Sequence, residues 1–387
     1  MEEEKDHFQM IAKTYQGLEN ILADEIRNLG GEDVEVLKRA VSFMGDNSIM
    51  YKVNLYSRVA LAVLVPIESF TAEDPEELYR KALRIEWSKF FRPTDTFAIT
   101  PSVNSTIFTH SQFASLKVKD AIVDHFRSKT GKRPSVDKDE PSFRLNLHIY
   151  QKEVTISFDS SGDALFKRGY RQRQGEASLN ELLAAGMIML SGWRGESTFI
   201  DPMCGGGTLP IEAAMIAMNI PGGWYRKKFG FMNWPDYDED LWYSIRTEAA
   251  REIKKQPDHF IIGTDLLSEN IEKSKKNAHI LRCNSLRFAV KDFFDFERPD
   301  QEPAMVMMNP PYGERLQSET DLNAFYKAIG DEFKKKFNNC DAWVISSNME
   351  ALKSVGLKAS EKYALFNGPL ECSFRHFELY EGSKKSN

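Results

Sequence analysis

Apolar and polar positions along the chain follow two periods, and the places where one gives way to the other outline its elements. Residues 8–14 alternate as a short strand, and 17–29 carry apolar positions at helical spacing until Gly30-Gly31 stops them. A strand over 34–43, a helix over 49–56 and an apolar strand over 60–67 follow. Asp74 and Pro75 form an N-cap and first-turn proline, so a helix is expected from there to about residue 90. A strand near 97–103 and a helix over 112–128 come next, then a hairpin-like pair, 143–150 and 153–159. This stretch has no glycine-rich phosphate loop and no acid/base pair. It reads as an α+β binding region.

Beyond Ser160-Ser161-Gly162-Asp163, the expected boundary, the pattern becomes strand, turn, helix. A helix over 179–190 precedes a strand at 198–200, which runs into Asp201-Pro202-Met203-Cys204-Gly205-Gly206-Gly207-Thr208 and a helix from 209. Residues 259–263 lead to Asp265 and a helix through 281, and 286–290 lead to Asp292. The uncharged run 305–308 leads to Asn309-Pro310-Pro311-Tyr312, where two prolines forbid continuation of strand or helix. That is a buried parallel strand ending at the carboxyl edge of a sheet. A fifth strand at 342–346 and an antiparallel hairpin, 363–367 with 374–380, complete a doubly wound sheet. An insertion at about 219–258 interrupts it and holds three of the six tryptophans: Trp224, Trp234 and Trp242. Such a cluster is either a satellite core or a stacking surface.

A length of 387 residues calls for two or three cores. No apolar run is long enough to cross a bilayer and the acidic start is unlike a secretory signal, so the cytoplasm is the expected compartment. The four cysteines lie far apart with no Cys-x-x-Cys pair, and no metal site is indicated. The net charge of −6 excludes a uniformly basic nucleic-acid binder. A polyanion would need a local patch. The segment 166–174 offers one, with Lys167, Arg168, Arg171 and Arg173 around Tyr170 and no acid among them.

Four ligand-type groups arrive at four consecutive strand ends. Gly205 and Gly207 allow close approach of a ligand to backbone. Asp265 can accept from a ribose diol, and Asp292 from an adenine amine. At the fourth end, the Asn309 side-chain carbonyl and the Pro310 backbone carbonyl can hold both hydrogens of an exocyclic amine. The Tyr312 ring can stack on the base that carries it.

This order resembles the class I S-adenosylmethionine-dependent methyltransferases, of which those with Asn-Pro-Pro-Tyr act on exocyclic amines of adenine or guanine. Together with Leu116-Lys117-Val118-Lys119-Asp120, Arg168-Gly169-Tyr170-Arg171, Asp201-Pro202-Met203-Cys204-Gly205 and Asn309-Pro310-Pro311-Tyr312-Gly313-Glu314-Arg315, it is similar over nearly the whole chain to the bacterial THUMP-domain 23S ribosomal RNA guanine-N2 methyltransferases. Gly206 replaces the small polar residue usual in the middle of the loop. The resemblance implies a C-terminal Rossmann-like methyltransferase sheet preceded by an α+β ferredoxin-like/THUMP RNA-binding region. The expected domains are 1–60, 61–162 and 163–387. S-adenosylmethionine is the implied cofactor, held by Leu179, Asn180, Asp201, Pro202, Cys204, Gly205, Gly207, Thr208, Asp265 and Asp292. Asn309, Pro310 and Tyr312 are the implied catalytic residues, and ribosomal RNA or an assembling large subunit is the implied partner. Alternatives are an adenine-N6 methyltransferase acting on DNA or RNA, and a noncatalytic RNA-binding ribosome-assembly factor. The oligomeric state stays open.

Overall fold

The computed structural model describes residues 7–171, 179–299, 301–312 and 319–380. They form two compact units, and each of the two sheets lies within one unit. The first unit comprises residues up to Thr14, Ala23–Leu165 and Arg226–Arg246. Its strands are β1 (Phe8–Lys13), β2 (Glu32–Leu37), β3 (Ala40–Gly45), β4 (Ala62–Thr71), β5 (Thr96–Asn104), β6 (Ser135–Val136), β7 (Phe143–Tyr150) and β8 (Glu153–Asp159). They form one sheet in the order β2-β3-β1-β4-β8-β7-β5-β6. Because β4 pairs with both β1 and β8, the sheet has no gap near residue 60. Helices α1 (Glu19–Asn28), α2 (Asn47–Tyr56), α3 (Pro75–Leu83) and α4 (Ser111–Thr130) connect these strands.

Local chemistry sets several of these boundaries. Asp74 accepts the Glu77 N–H at 2.7 Å with Pro75 in the first turn of α3, the cap its sequence indicates. That helix ends at Leu83, short of residue 90, and a separate turn at Trp87–Lys89 follows. The expected single strand over 34–43 is the hairpin β2–β3, reversed at Arg39 with φ 59°. No glycine marks that turn, so apolar alternation hid it.

The aromatic insertion completes this unit. Phe231 is fully buried, with Tyr51 stacked at 4.3 Å, Phe229 at 5.4 Å and the edge of Trp242 at 5.2 Å. The Asp238 N–H donates to the Tyr51 hydroxyl at 3.1 Å, and Trp234 packs on Phe158 at 5.8 Å. Gly230 is required here, since a Cβ would lie 2.4 Å from the Asp159 carbonyl oxygen. The Arg226 guanidinium donates to the carbonyls of Ser161, Asp163 and Ala164 at 3.2, 2.8 and 2.9 Å. Part of the insertion is thus a satellite core.

The second unit comprises Tyr15–Leu22, Phe166–Tyr225 and the chain from Thr247. Its strands are β9 (Thr198–Asp201), β10 (Ile261–Asp265), β11 (Leu286–Val290), β12 (Ala304–Met308), β13 (Cys340–Ser346), β14 (Glu361–Asn367) and β15 (Leu370–Leu379). The order is β11-β10-β9-β12-β13-β15-β14, with β9 to β13 parallel and β15 antiparallel to both β13 and β14. The helices from the middle of the chain onward are α5 (Glu181–Leu190), α6 (Thr208–Ala217), α7 (Glu239–Glu252), α8 (Ser268–Ala278), α9 (Glu319–Lys336) and α10 (Met349–Ser354). Every residue of β12 is buried, as a central parallel strand requires. Tyr326, Ile329 and Phe333 make the apolar stripe of α9 and pack in one cluster with Val306, Met308, Ala342 and Val344.

Replacing Phe231 by alanine removes a ring that Tyr51, Phe229 and Trp242 enclose. A loss of about 3–5 kcal/mol is expected. Urea unfolding of the full chain checks it, and a loss below about 1 kcal/mol would show that the insertion adds no core.

Candidate active site

β9 and β12 are neighbours in the sheet although β10 and β11 separate them in sequence. The chain winds outward through β10 and β11, then returns to the other side of β9. This is a topological switch point, where open α/β sheets leave a crevice beyond their strand ends. Two stretches meet that edge: the glycine loop after β9 and Asn309-Pro310-Pro311-Tyr312 after β12.

The loop after β9 is held at nearly every residue. Its N–H groups at Met203, Cys204, Gly205 and Gly207 donate to Asp201 Oδ1, the Thr264 carbonyl, Asp265 Oδ2 and the Cys204 carbonyl at 3.1, 2.8, 2.9 and 2.8 Å. Ser274 Oγ and Asn277 Nδ2 donate to the Gly205 and Gly206 carbonyls. Gly207 has φ 80°, and a Cβ there would meet Ser274 at 2.9 Å. Gly205 has φ 52° with nothing within 4 Å of its Cβ position, so that position faces open space while its own N–H and carbonyl are bonded within the loop. The side chains of Asp201, Pro202, Cys204 and Thr208 are buried. They shape the loop, and a ligand approaching the edge meets backbone. Burial pushes the Asp201 carboxyl well above the usual carboxylate range; the Met203 N–H opposes this and the Asp265 charge adds to it.

Asp265 joins loop and strand end. Its Oδ1 accepts from the Leu267 N–H at 2.9 Å and from Asn270 Nδ2 at 3.0 Å, while Oδ2 accepts only the Gly205 N–H among these bonds. A carboxylate oxygen has two lone pairs, so Oδ2 keeps one for a hydroxyl. Asp292 caps the turn that follows it by accepting the Phe294 N–H at 2.9 Å and is half-buried. Asn180 caps α5, accepting from Leu182 and Leu183, and Leu179 beside it is buried. Leu266, Leu267 and Val290 are exposed around Asp265 and Asp292. The sequence reading passed over these three because they fall on strand ends and turns, where apolar periodicity has stopped.

At the fourth strand end, the Tyr312 hydroxyl donates to Asn309 Oδ1. The amide is therefore oriented, with Nδ2 turned away from the tyrosine. Burial pushes the Tyr312 phenol far up, and the nearby Cys372 adds to the shift, so this hydroxyl is a donor at neutral pH.

The basic segment requires a correction. The Arg168 side chain is 1% exposed, with Nε 3.4 Å from Glu212 Oε1. The Tyr170 hydroxyl donates to that same oxygen at 3.0 Å. Arg171 donates to Glu181 Oε1 at 2.6 Å, to Thr208 Oγ1 at 2.8 Å and to the Leu179 carbonyl at 3.3 Å. Arg168 is tied to α6, and Arg171 to α5 and the start of α6, so both side chains are engaged inside the unit. Their acidic partners lie on helices beyond the run, which itself holds no acid. Lys167 is exposed, and Arg173 lies outside the described residues.

Comparison with known proteins agrees with this architecture. Residues 168–376 match the family described as RMKL-like, methyltransferase domain. The chain belongs to that family. Residues 9–64 match the RlmL ferredoxin-like domain and 72–159 the THUMP domain. The RMKL-like chain is 36% identical to a Synechocystis protein named provisionally as an RNA methyltransferase, over 95% of this chain and 96% of that one. It is 37% identical to a Syntrophotalea carbinolica ribosomal RNA large subunit methyltransferase K/L, over 95% of this chain but 53% of that protein, spanning about half its length. A crystal structure described as a methyltransferase complexed with S-adenosylhomocysteine (SAH) has TM-score 0.85 and 29% identity, covering 98% of this chain and 100% of that one. A Listeria monocytogenes structure described as a predicted N6-adenine-specific DNA methylase has TM-score 0.84 and 30% identity, covering 97% of each chain. The expected ferredoxin-like, THUMP and methyltransferase parts are all present. S-adenosylmethionine, the implied cofactor, agrees with the SAH complex. The open space beside Gly205 and the remaining lone pair of Asp265 suit it.

Arg171→Ala would leave Glu181 buried without its cation and free Thr208 at the start of α6. The expected loss of stability is about 3–5 kcal/mol, with weaker S-adenosylmethionine binding. Arg171→Lys should restore little, since an ammonium cannot reproduce the planar fork. Urea unfolding and calorimetry test both variants, and a neutral Arg171→Ala would show the tie to be dispensable.

Proposed function

We propose that this chain methylates the exocyclic N2 amine of a guanine in large-subunit ribosomal RNA, with S-adenosylmethionine as methyl donor. The observation that carries the reading is the oriented Asn309 amide, at the end of β12 and beside the strand that bears the glycine loop. S-adenosylmethionine, when bound, supplies an electrophilic methyl on a sulfonium. The backbone at Gly205 and the Asp265 carboxylate are assigned to hold it, with Asp292 toward its adenine amine. The apolar groups of Leu266, Leu267 and Val290 would cover the ring.

Asn309 Oδ1 and the Pro310 carbonyl accept the two hydrogens of the target amine, so its lone pair turns toward the methyl group. Tyr312 stacks on the base. A guanine N2 lone pair is conjugated with its ring and weakly nucleophilic, so orientation is the main contribution these residues make. Well-oriented groups supply roughly 7–11 kcal/mol of barrier reduction. Tyr312 stays protonated and is not the base; the methylated amine, strongly acidic while cationic, releases its surplus proton to water. The THUMP and ferredoxin-like parts are assigned the RNA, as free ribosomal RNA or within an assembling large subunit.

An adenine-N6 target is the second reading, because the same two acceptors fit that amine and the Listeria structure carries such a description. Incubation with large-subunit RNA and S-adenosylmethionine, then nucleoside mass spectrometry, separates the two. N2-methylguanosine is expected, and N6-methyladenosine alone would overturn the guanine assignment. No cofactor binding and no methylated nucleoside would favour a noncatalytic assembly factor. In the same assay, Asn309→Ala should slow single-turnover transfer by about 100-fold or more while leaving cofactor affinity within about two-fold. A stable Asn309→Ala protein with near-normal transfer would remove that residue from the chemistry.

A further inference from the structure

The Pro310 carbonyl is directed by the motif itself, since φ at 310 and 311 is locked by the rings and ψ at 310 is restricted by the proline that follows. The ψ at Pro311 is not, and it sets the peptide that carries Tyr312. The bond from the Tyr312 hydroxyl to Asn309 Oδ1 closes the motif across its two ends. The remaining degree of freedom is the carbonyl at Pro311. That oxygen lies 3.2 Å from the hydroxyl of Tyr326, which is fully buried on α9.

Tyr326 is itself held. Its hydroxyl lies 2.9 Å from Ser346 Oγ at the fully buried end of β13, and Ser346 Oγ accepts the Asn348 N–H at 3.1 Å. A carbonyl accepts only, and each hydroxyl has one proton. The consistent arrangement runs one way. The Asn348 N–H donates to Ser346 Oγ, the Ser346 hydroxyl donates to Tyr326, and Tyr326 donates to the Pro311 carbonyl. Burial pushes the Tyr326 phenol up to about 12, so its proton stays in place at neutral pH.

We infer that Tyr326 and Ser346 are positioning residues for methyl transfer: through the Pro311 carbonyl they fix the peptide that carries Tyr312, the residue whose ring meets the base and whose hydroxyl orients Asn309. This rests on the amine-methylation reading above. Neither residue touches substrate or cofactor in it. The pair acts through backbone, and its effect belongs in the transfer step.

Tyr326→Phe deletes one oxygen and leaves the buried ring. Its single-turnover rate on large-subunit RNA should fall about 10- to 100-fold, with KM for RNA and affinity for S-adenosylmethionine within about two-fold. Ser346→Ala should change the rate in the same direction but less, and the double variant should be no slower than Tyr326→Phe alone. Crystal structures of wild type and Tyr326→Phe should show the peptide between Pro311 and Tyr312 rotated in the variant. An unchanged rate with superposable loops would overturn the assignment. So would a rate loss matched by equal losses of cofactor affinity and melting temperature, which is the result a merely structural tyrosine gives. Wild type that methylates no RNA would refute the proposed function, and the two crystal structures would still decide whether Tyr326 directs the loop.

Discussion

The pairing of β9 with β12 is the constraint on which the second unit depends. It sets Ala304 against Thr198 and Val306 against Ile200 in parallel register, between two strands almost without charge. Both faces of such strands are covered, so a slip in register would bury polar strand ends and expose apolar residues. The register decides that the glycine loop and Asn309 emerge at the same edge. Neither stretch needs to find the other by loop folding, because the sheet delivers both.

The arginine-rich segment shows how composition can mislead about solvent. Arg168, Tyr170 and Arg171 have the residue types of a nucleic-acid contact, yet they form a buried network with Glu212, Glu181 and Thr208. Isolated buried charges are costly, and here each is paired: Arg168 Nε lies 3.4 Å from Glu212, and Arg171 reaches Glu181 at 2.6 Å as well as Thr208 and the Leu179 carbonyl. Burial raises the Glu181 carboxyl and Arg171 opposes that shift without cancelling it. The network spans the starts of α5 and α6, so the charge serves the shape of the cofactor edge.

Much of the catalytic half was legible because its strands are short, apolar and punctuated. The β11 range was read correctly to the residue, and Asn309 follows β12 directly, as a polar residue after an uncharged run should. The polar ends of β9, β10, β11 and β12 came through for the same reason. Contacts made by residues distant in sequence did not. Nothing near Arg171 indicates Glu181 or Thr208 as partners, and nothing near Tyr312 indicates that its hydroxyl engages Asn309. The α9 stripe went unread because Tyr326, Ile329 and Phe333 stand among charged residues and the helix ends in Lys334-Lys335-Lys336. The insertion's aromatics were visible, but a period cannot say which core they complete.

That last point has a consequence for how the chain reaches its fold. The Tyr51 ring is enclosed by Phe231 and Trp242, and its hydroxyl accepts from Asp238, 187 positions later in the chain. Between them lie α5, β9 and α6 of the other unit. The first unit therefore cannot complete its core when its own N-terminal sequence ends at Leu165. It must wait for Arg226–Arg246, which chain order places after the glycine loop. Domains ordinarily fold as successive units during synthesis. Here the closing contacts of the first depend on residues delivered in the middle of the second. The entropic cost of closing so long a loop grows only logarithmically with its length. The aromatic cluster around Phe231 is large enough to offset it, which is why a core piece can be supplied from so far along the chain.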